Sequence, residues 1–230
     1  MTTEENLITN ETLLLLEIRK SLYFFLSTSF FHIPNEETIR MIIERKLFAE
    51  FPLAIDSPEF QEALSLLNSW SQDINEENWP EVLSVLRQDY TRLFLGPGHL
   101  PAPPWESVYL TEEKLTFGEP TLQVRAFFRR FGVEFERKNT EPDDHFGLEM
   151  EFMAQLIAKQ IAAIADGQEL EANLLQQAQL TFLQEHPLRW LEDFTANIIS
   201  AAQTPYYRGL ALLARSYLTW DYATLQEQAD

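Results

Sequence analysis

Apolar residues recur three and four positions apart along most of the chain, the spacing of helices with one buried face. Residues 1–9 are expected to fray, and Asn10 or Thr12 to cap a helix reaching Phe30 with Leu15, Ile18, Leu22, Phe25 and Leu26 inward. Pro34 breaks that pattern. A short helix comes next over Glu36–Glu44 with Ile39, Ile42 and Ile43 inward. Another runs from Glu59 to Gln72 through Phe60, Leu64, Leu67 and Trp70. Pro80 suits the first turn of a further helix, which ends at Leu93-Phe94. Pro120 opens a helix carrying Val124, Phe127, Phe128 and Phe131, with Arg125, Arg129 and Arg130 on its other side and Gly132 as its stop. Glu141-Pro142-Asp143-Asp144 reads as a helix start, because acids favour the positive end of the dipole. Phe146, Met150, Met153, Ile157, Ile161 and Ile164 form the stripe of that long helix, and Gly167 ends it. Three more helices are expected: Glu169 to Leu183; one opening at Pro187 with Leu191, Phe194 and Ile198 inward; and one from Thr204-Pro205 with Tyr206, Leu210, Leu213, Tyr217 and Trp220 on one face.

Between these patterns lies Tyr90–Leu110, YTRLFLGPGHLPAPPWESVYL. Gly96-Pro97-Gly98 stops the preceding helix, and Pro97, Pro101, Pro103 and Pro104 stiffen the loop beyond it. A stiff loop bearing Trp105 and Tyr109 loses little entropy on binding a ligand. The same rings could equally plug the core beside a helix end. Tyr109 to Gly118 has no regular period, and VEFER from Val133 alternates briefly as an extended segment would.

No hairpin signal joins alternating apolar runs; the single Asp-Gly, Asp166-Gly167, lies between helical patterns. The fold class is therefore all-α: one globular helical domain, 1–230, of about ten helices. The weakly patterned connector 132–141 divides it into lobes 1–131 and 142–230, with a hinge between them.

Composition narrows the function. The 230 residues carry 36 acidic and 17 basic side chains, a formal charge of −19. Such a surface repels nucleic acid and attracts a basic partner. Seventeen Phe and five Trp supply a core, and the absence of cysteine removes thiol chemistry and disulfides. The opening MTTEENLITNE is acidic, unlike a signal peptide, and Glu17, Arg19 and Lys20 interrupt the apolar run from Leu13 to Phe31, so no integral membrane segment is expected. These features fit a cytoplasmic protein.

Candidate chemistry is sparse. His145 lies beside two acids at a helix start, and His145 with Glu149 at i, i+4 could furnish two metal ligands, but no third stands at readable spacing. Gly96-Pro97-Gly98 lacks the Lys-Ser/Thr of a phosphate loop, and Ser107 has no glycine elbow. His32, His99 and His186 stand isolated. No metal, cofactor or catalytic set is assigned. What remains is a binding surface: the aromatics Tyr90, Phe94, Trp105 and Tyr109, with the acids Glu106, Glu141, Asp143 and Asp144. That pairing suits a peptide both hydrophobic and basic.

These residues carry a resemblance. Tyr90-x-x-Leu93-Phe94-x-Gly96-Pro97, then Pro103-Pro104-Trp105-x-Ser107-Val108-Tyr109, then Glu141-Pro142-x-Asp144-His145-Phe146-Gly147 resemble the TorD/DmsD family, nearest its DmsD branch. The likeness is strong from Asp89 to Leu156 and looser beyond, including His186-Pro187-Leu188. It implies an all-helical cytoplasmic chaperone, not an enzyme. Such a chaperone binds the twin-arginine signal peptide of a molybdenum-containing reductase, of the dimethyl sulfoxide reductase type, and holds back export until cofactor insertion and folding are complete. It also implies a peptide site at Tyr90, Leu93, Phe94, Pro103, Pro104, Trp105, Ser107, Tyr109, Asp144 and His145. The physical reading of these residues adds an expectation of its own: Asp144, helped by Glu141 or Asp143, pairs with the arginines while Trp105 and Tyr109 cover the apolar part. In that family a hinge such as 132–141 permits exchange of lobes between chains, so the resemblance implies a monomer or a domain-swapped dimer. Tyr90 and Tyr109 stand where the branch commonly has tryptophan, and Glu106 where it has glycine. Two alternatives stand beside this reading: a nitrate-reductase-type chaperone whose partner lacks twin arginines, and a hydrolase using His145 with Asp144 or Glu149. A nucleotide-binding role ranks below both.

Overall fold

The structure, a computed structural model, describes residues 3–112, 114–135 and 141–229, with side chains from residue 10 onward. Ten α-helices succeed one another among these residues: α1 (Thr3–Phe31), α2 (Glu36–Glu44), α3 (Pro58–Gln72), α4 (Trp79–Tyr90), α5 (Glu106–Leu110), α6 (Glu119–Arg130), α7 (Phe146–Ala165), α8 (Glu169–Glu185), α9 (Leu191–Ala201) and α10 (Pro205–Ala229). A π turn over Thr91–Leu95 prolongs α4, and a 3₁₀ turn over Pro187–Arg189 leads into α9. No strand is present among the described residues.

Local chemistry sets the boundaries. Asn35 and Ser57 cap α2 and α3 by accepting the N–H groups of Thr38 and Phe60. Prolines sit in the first turns of α3, α4 and α6, where their missing N–H costs nothing. Gly167, at φ +70, closes α7 in the left-handed conformation expected of it.

Three expectations need correction. The first helix begins at Thr3 rather than Asn10 or Thr12, since no glycine or proline interrupts the chain before Asn10. Its inward face is rotated, with Leu16 and Arg19 buried and Leu15 and Ile18 less so. Residues 106–110, read partly as irregular, form α5. Residues 136–140 of the connector 132–141 lie outside the described residues; 133–135 within it are irregular.

α1 packs chiefly on α7, α10 on α3, and α8 and α9 flank them. Two close approaches fix this arrangement. A Cβ on Gly147 would lie 2.6 Å from Phe31 Cβ, and one on Gly209 2.6 Å from Leu67 Cγ. Only glycine lets these helix pairs come so near. The core contains two aromatic clusters. Phe30, Phe94, Phe146 and Phe194 meet with centroids 5.0–6.3 Å apart, and Phe127, Phe128, Phe152 and Phe182 with centroids 4.5–5.9 Å apart. The first cluster lies directly beneath the proline loop.

Candidate functional site around the proline loop

The spacing that ends α4 also decides what its last residues can do. Tyr90, Leu93 and Phe94 share the inward face with Leu86, and all are buried. The Tyr90 hydroxyl donates to the Phe30 carbonyl at 3.0 Å. These three residues are the floor of the site, not its surface.

The loop then turns back and is stitched to the chain before α7. Phe146 N–H donates to the Pro104 carbonyl at 2.8 Å, and Glu106 N–H to the Asp144 carbonyl at 3.0 Å. Between these two bonds Trp105 and His145 form an antiparallel bridge. The two motifs of the sequence, about forty residues apart, are thus one structural unit. Trp105 stays half-buried, its indole N–H donating to Glu141 Oε1 at 2.7 Å. Pro103, Tyr109 and Glu141 are also half-buried, whereas Pro104 is buried. Tyr109 lies 5.2 Å from Trp190 between ring centroids, and burial pushes its hydroxyl pKa up.

The acids behave differently from one another. Asp144 is fully buried; its Oδ2 accepts the Ser107 N–H and its Oδ1 the Thr121 hydroxyl, each at 2.8 Å. Burial raises its pKa, and these hydrogen bonds oppose the rise. Asp143 pairs with Arg125 at 2.6 Å. Glu106, read as a surface acid, is fully buried, 3.1 Å from His186 Nδ1. Ser107 is buried with it. The expectation that Asp144 meets incoming arginines directly is therefore at odds with this geometry, because both its oxygens are used internally. Glu141 is the acid of this group that retains surface.

His145 caps α7, its Nδ1 accepting the Gly147 N–H at 3.0 Å, with its ring against Phe31 and Trp105. Burial, with His32 nearby, lowers its pKa to about 3. A histidine so committed is no general base. His145 and Glu149 do not converge on a metal either: among the described residues no group of three His, Asp or Glu side chains could hold an ion.

A pocket of about 900 Å³ opens on the other flank of the loop. Trp79, Leu83, Leu100 and Pro101 supply apolar wall, while Arg87, Arg92 and Glu36 add charge of both signs, Arg92 being paired with Asp89. Sequence reading missed this pocket, because α4 and the loop contribute to it from opposite sides of the Gly96-Pro97-Gly98 corner.

The model of the family described as nitrate reductase delta subunit matches residues 54–196, which includes every element of this site. The chain belongs to that family. Among its relatives is the Tat proofreading chaperone DmsD of Salmonella paratyphi A, 34% identical over 174 residues, covering 69% of this chain and 78% of the relative. The chaperone protein TorD of Vibrio cholerae is 30% identical over 224 residues, covering 94% and 96% of the two chains. A solved structure described as a redox enzyme maturation protein from Archaeoglobus fulgidus shares the fold, with a TM-score of 0.52 at 18% identity over 86% of this chain and 92% of the other. The protein is a chaperone of the TorD/DmsD group and not an enzyme. Among the described residues no helix is long and apolar enough to cross a membrane.

Within this family member, His186 is the residue that sequence reasoning underrated. It stands far from both motifs along the chain, and only the folded chain brings it to Glu106.

Proposed function

We propose that the protein is a cytoplasmic maturation chaperone that binds the twin-arginine signal peptide of a molybdenum-containing reductase, of the dimethyl sulfoxide reductase type. It holds the precursor back from export until cofactor insertion and folding are complete. The observation that carries this reading is the pairing of Trp105 with Glu141 at the accessible edge of the bridged motifs, in a relative of a Tat proofreading chaperone.

The distribution of charge supports a direction for the peptide. Glu141 is the partly exposed acid beside Trp105, so the twin arginines lie toward it and the apolar segment toward Trp79, Leu83, Leu100 and Pro101 of the pocket. Pro103, Trp105 and Tyr109 form the ridge between. Tyr90, Leu93, Phe94, Ser107, Asp144 and His145 act from beneath by holding that ridge. An arginine paired with a sheltered carboxylate gains from its two parallel hydrogen bonds, which lysine cannot reproduce.

The chain acts as a single chaperone domain, with exchange of lobes through 132–141 as its route to a dimer; light scattering on the eluted protein distinguishes the two states. A second reading is favoured by the description of the matched family: a nitrate-reductase-type partner whose N-terminus lacks twin arginines. Calorimetric titration with a twin-arginine signal peptide, beside the same peptide carrying two lysines, decides. Binding that weakens sharply with lysine is expected. Equal binding of both, or binding only of a nitrate reductase N-terminus, overturns the twin-arginine reading.

A further inference from the structure

Beneath the proline loop, polar side chains from the ends of four helices meet in the interior. Glu106 opens α5, Glu149 stands in the first turn of α7, His186 comes just after the end of α8, and Trp190 precedes α9. All four are buried. His186 Nδ1 lies 3.1 Å from Glu106 Oε2, a hydrogen-bond contact in which the ring nitrogen donates when Glu106 is a carboxylate, since a carboxylate can only accept. Glu149 lies against Glu106 and the indole of Trp190. Yet neither of its oxygens is in good hydrogen-bond geometry with a partner, and the Trp190 indole N–H is the donor that approaches it. An ionised carboxylate so poorly supplied with donors is strongly disfavoured in the interior, and more so beside a second carboxylate. A neutral Glu149 removes the conflict, because its O–H can turn to Glu106, which His186 serves from the other side.

We propose that Glu149 is a neutral carboxylic acid whose proton is shared with Glu106, and that the chain Glu149–Glu106–His186 is a positioning device holding α5, and with it Trp105 and Tyr109, in place for the signal peptide. The second half of this proposal rests on the function proposed above. Trp190 supplies the mechanical link: its indole faces Glu149, while its ring stands 5.2 Å from Tyr109 and 5.7 Å from Phe146. The groups acting on Glu149 are Glu106 from α5, Asp144 from the segment before α7, and the Trp190 indole from just before α9, with His186, just after α8, behind Glu106. Burial first, and then Glu106 and Asp144, hold the Glu149 carboxyl well above the ordinary carboxylate range. Ionising it would place a second negative charge against Glu106 and push α5 outward.

Infrared spectroscopy of the full chain at neutral pH tests the proton without any peptide. The carbonyl stretch of a buried protonated acid is expected in the parent and absent in Glu149→Gln. No such band in the parent, or a band that survives the substitution, overturns the proton assignment. Peptide titration tests the positioning. Glu149→Gln still offers an N–H to Glu106 and is expected to keep the parent's affinity, while Glu149→Ala is expected to bind about tenfold more weakly, the equivalent of one buried hydrogen bond. As pH rises into the alkaline range, affinity should fall in the parent and stay level in Glu149→Gln, a contrast that remains readable if Glu149→Ala does not fold. Equal pH profiles in parent and Glu149→Gln overturn the positioning role. A parent that shows the acid band but binds no signal peptide refutes the functional reading and leaves the proton assignment standing.

Discussion

Asp144 reaches back across thirty-seven residues to accept the Ser107 N–H at 2.8 Å, and this bond holds the start of α5. Its other oxygen takes the Thr121 hydroxyl from α6. Asp144 is therefore a joint between three segments. Asp144→Ala should leave the buried Ser107 N–H without an acceptor and cost about 1–3 kcal/mol, read as a lower urea midpoint. Asp144→Asn should cost less, because an amide can accept from Ser107 and donate to Thr121. If Asp144 instead met an arginine of the peptide directly, the asparagine variant would lose most of its affinity while remaining stable; nearly unchanged affinity is expected.

His145 makes the fold sensitive to acid. Its pKa, lowered to about 3 by burial, lies below the unfolded value of about 6.5. The unfolded chain then takes up a proton that the folded chain refuses, so the His145 contribution is fully present above about pH 6.5 and is lost as pH falls from there toward 3. The slope due to this group is about 1.4 kcal/mol per pH unit. His145→Asn keeps an acceptor for the Gly147 N–H and removes the titration. Urea melts of the two proteins at pH 7 and pH 5 should show the parent losing more stability on acidification. Equal losses would mean that His145 is reached by protons in the folded state.

The buried ion pair of α1 and α10 should dominate the response of the core to mutation. Arg19 binds Asp221 through two bonds, of 2.6 and 2.9 Å, and Tyr23 adds a third to the same carboxylate at 2.7 Å. Asp221→Ala strands the arginine, at a cost of about 3–5 kcal/mol. Replacing both residues with apolar ones, as in Arg19→Met with Asp221→Leu, should recover much of that loss. Chemical denaturation of the single and double variants measures the difference.

That pair also marks the limit of what the sequence discloses. The helices were legible because their apolar spacing and terminal Pro, Gly, Ser and Asn are local signals. So was the unity of the site, through two motifs whose resemblance to a family joins them before any geometry does. Arg19, in contrast, reads only as a charge that interrupts an apolar run, since its partner Asp221 is 202 positions away. Glu106 and His186 fail for the same reason, being 80 positions apart. Burial of a charge is a property of tertiary packing, and composition cannot announce it. Tyr90 and Phe94 illustrate the converse: the pattern identified them as important aromatics but could not tell a floor from a contact surface.

Gly147 should be the least replaceable glycine of the fold. An added Cβ would meet Phe31 Cβ at 2.6 Å, but also the Phe31 backbone nitrogen and the Ser27 carbonyl oxygen, each at 3.1 Å. Backbone cannot step aside as a side-chain tip can, so α7 would have to move away from α1. Alanine should gain about 1 kcal/mol in helix propensity over glycine and still be destabilising. Gly209 provides the control. Its nearest neighbours are Leu67 Cγ and Cδ2, at 2.6 and 2.9 Å, and trimming that side chain relieves them. Adding Leu67→Ala should therefore remove the steric part of the damage of Gly209→Ala, whereas adding Phe31→Ala should not remove that of Gly147→Ala. Because Gly147 bonds to His145, which bridges Trp105, Gly147→Ala should also shift the tryptophan fluorescence of the folded protein and weaken signal-peptide binding. Thermal melts paired with emission spectra of the four variants would show both effects; full rescue of Gly147→Ala by Phe31→Ala would refute the backbone contact as their cause.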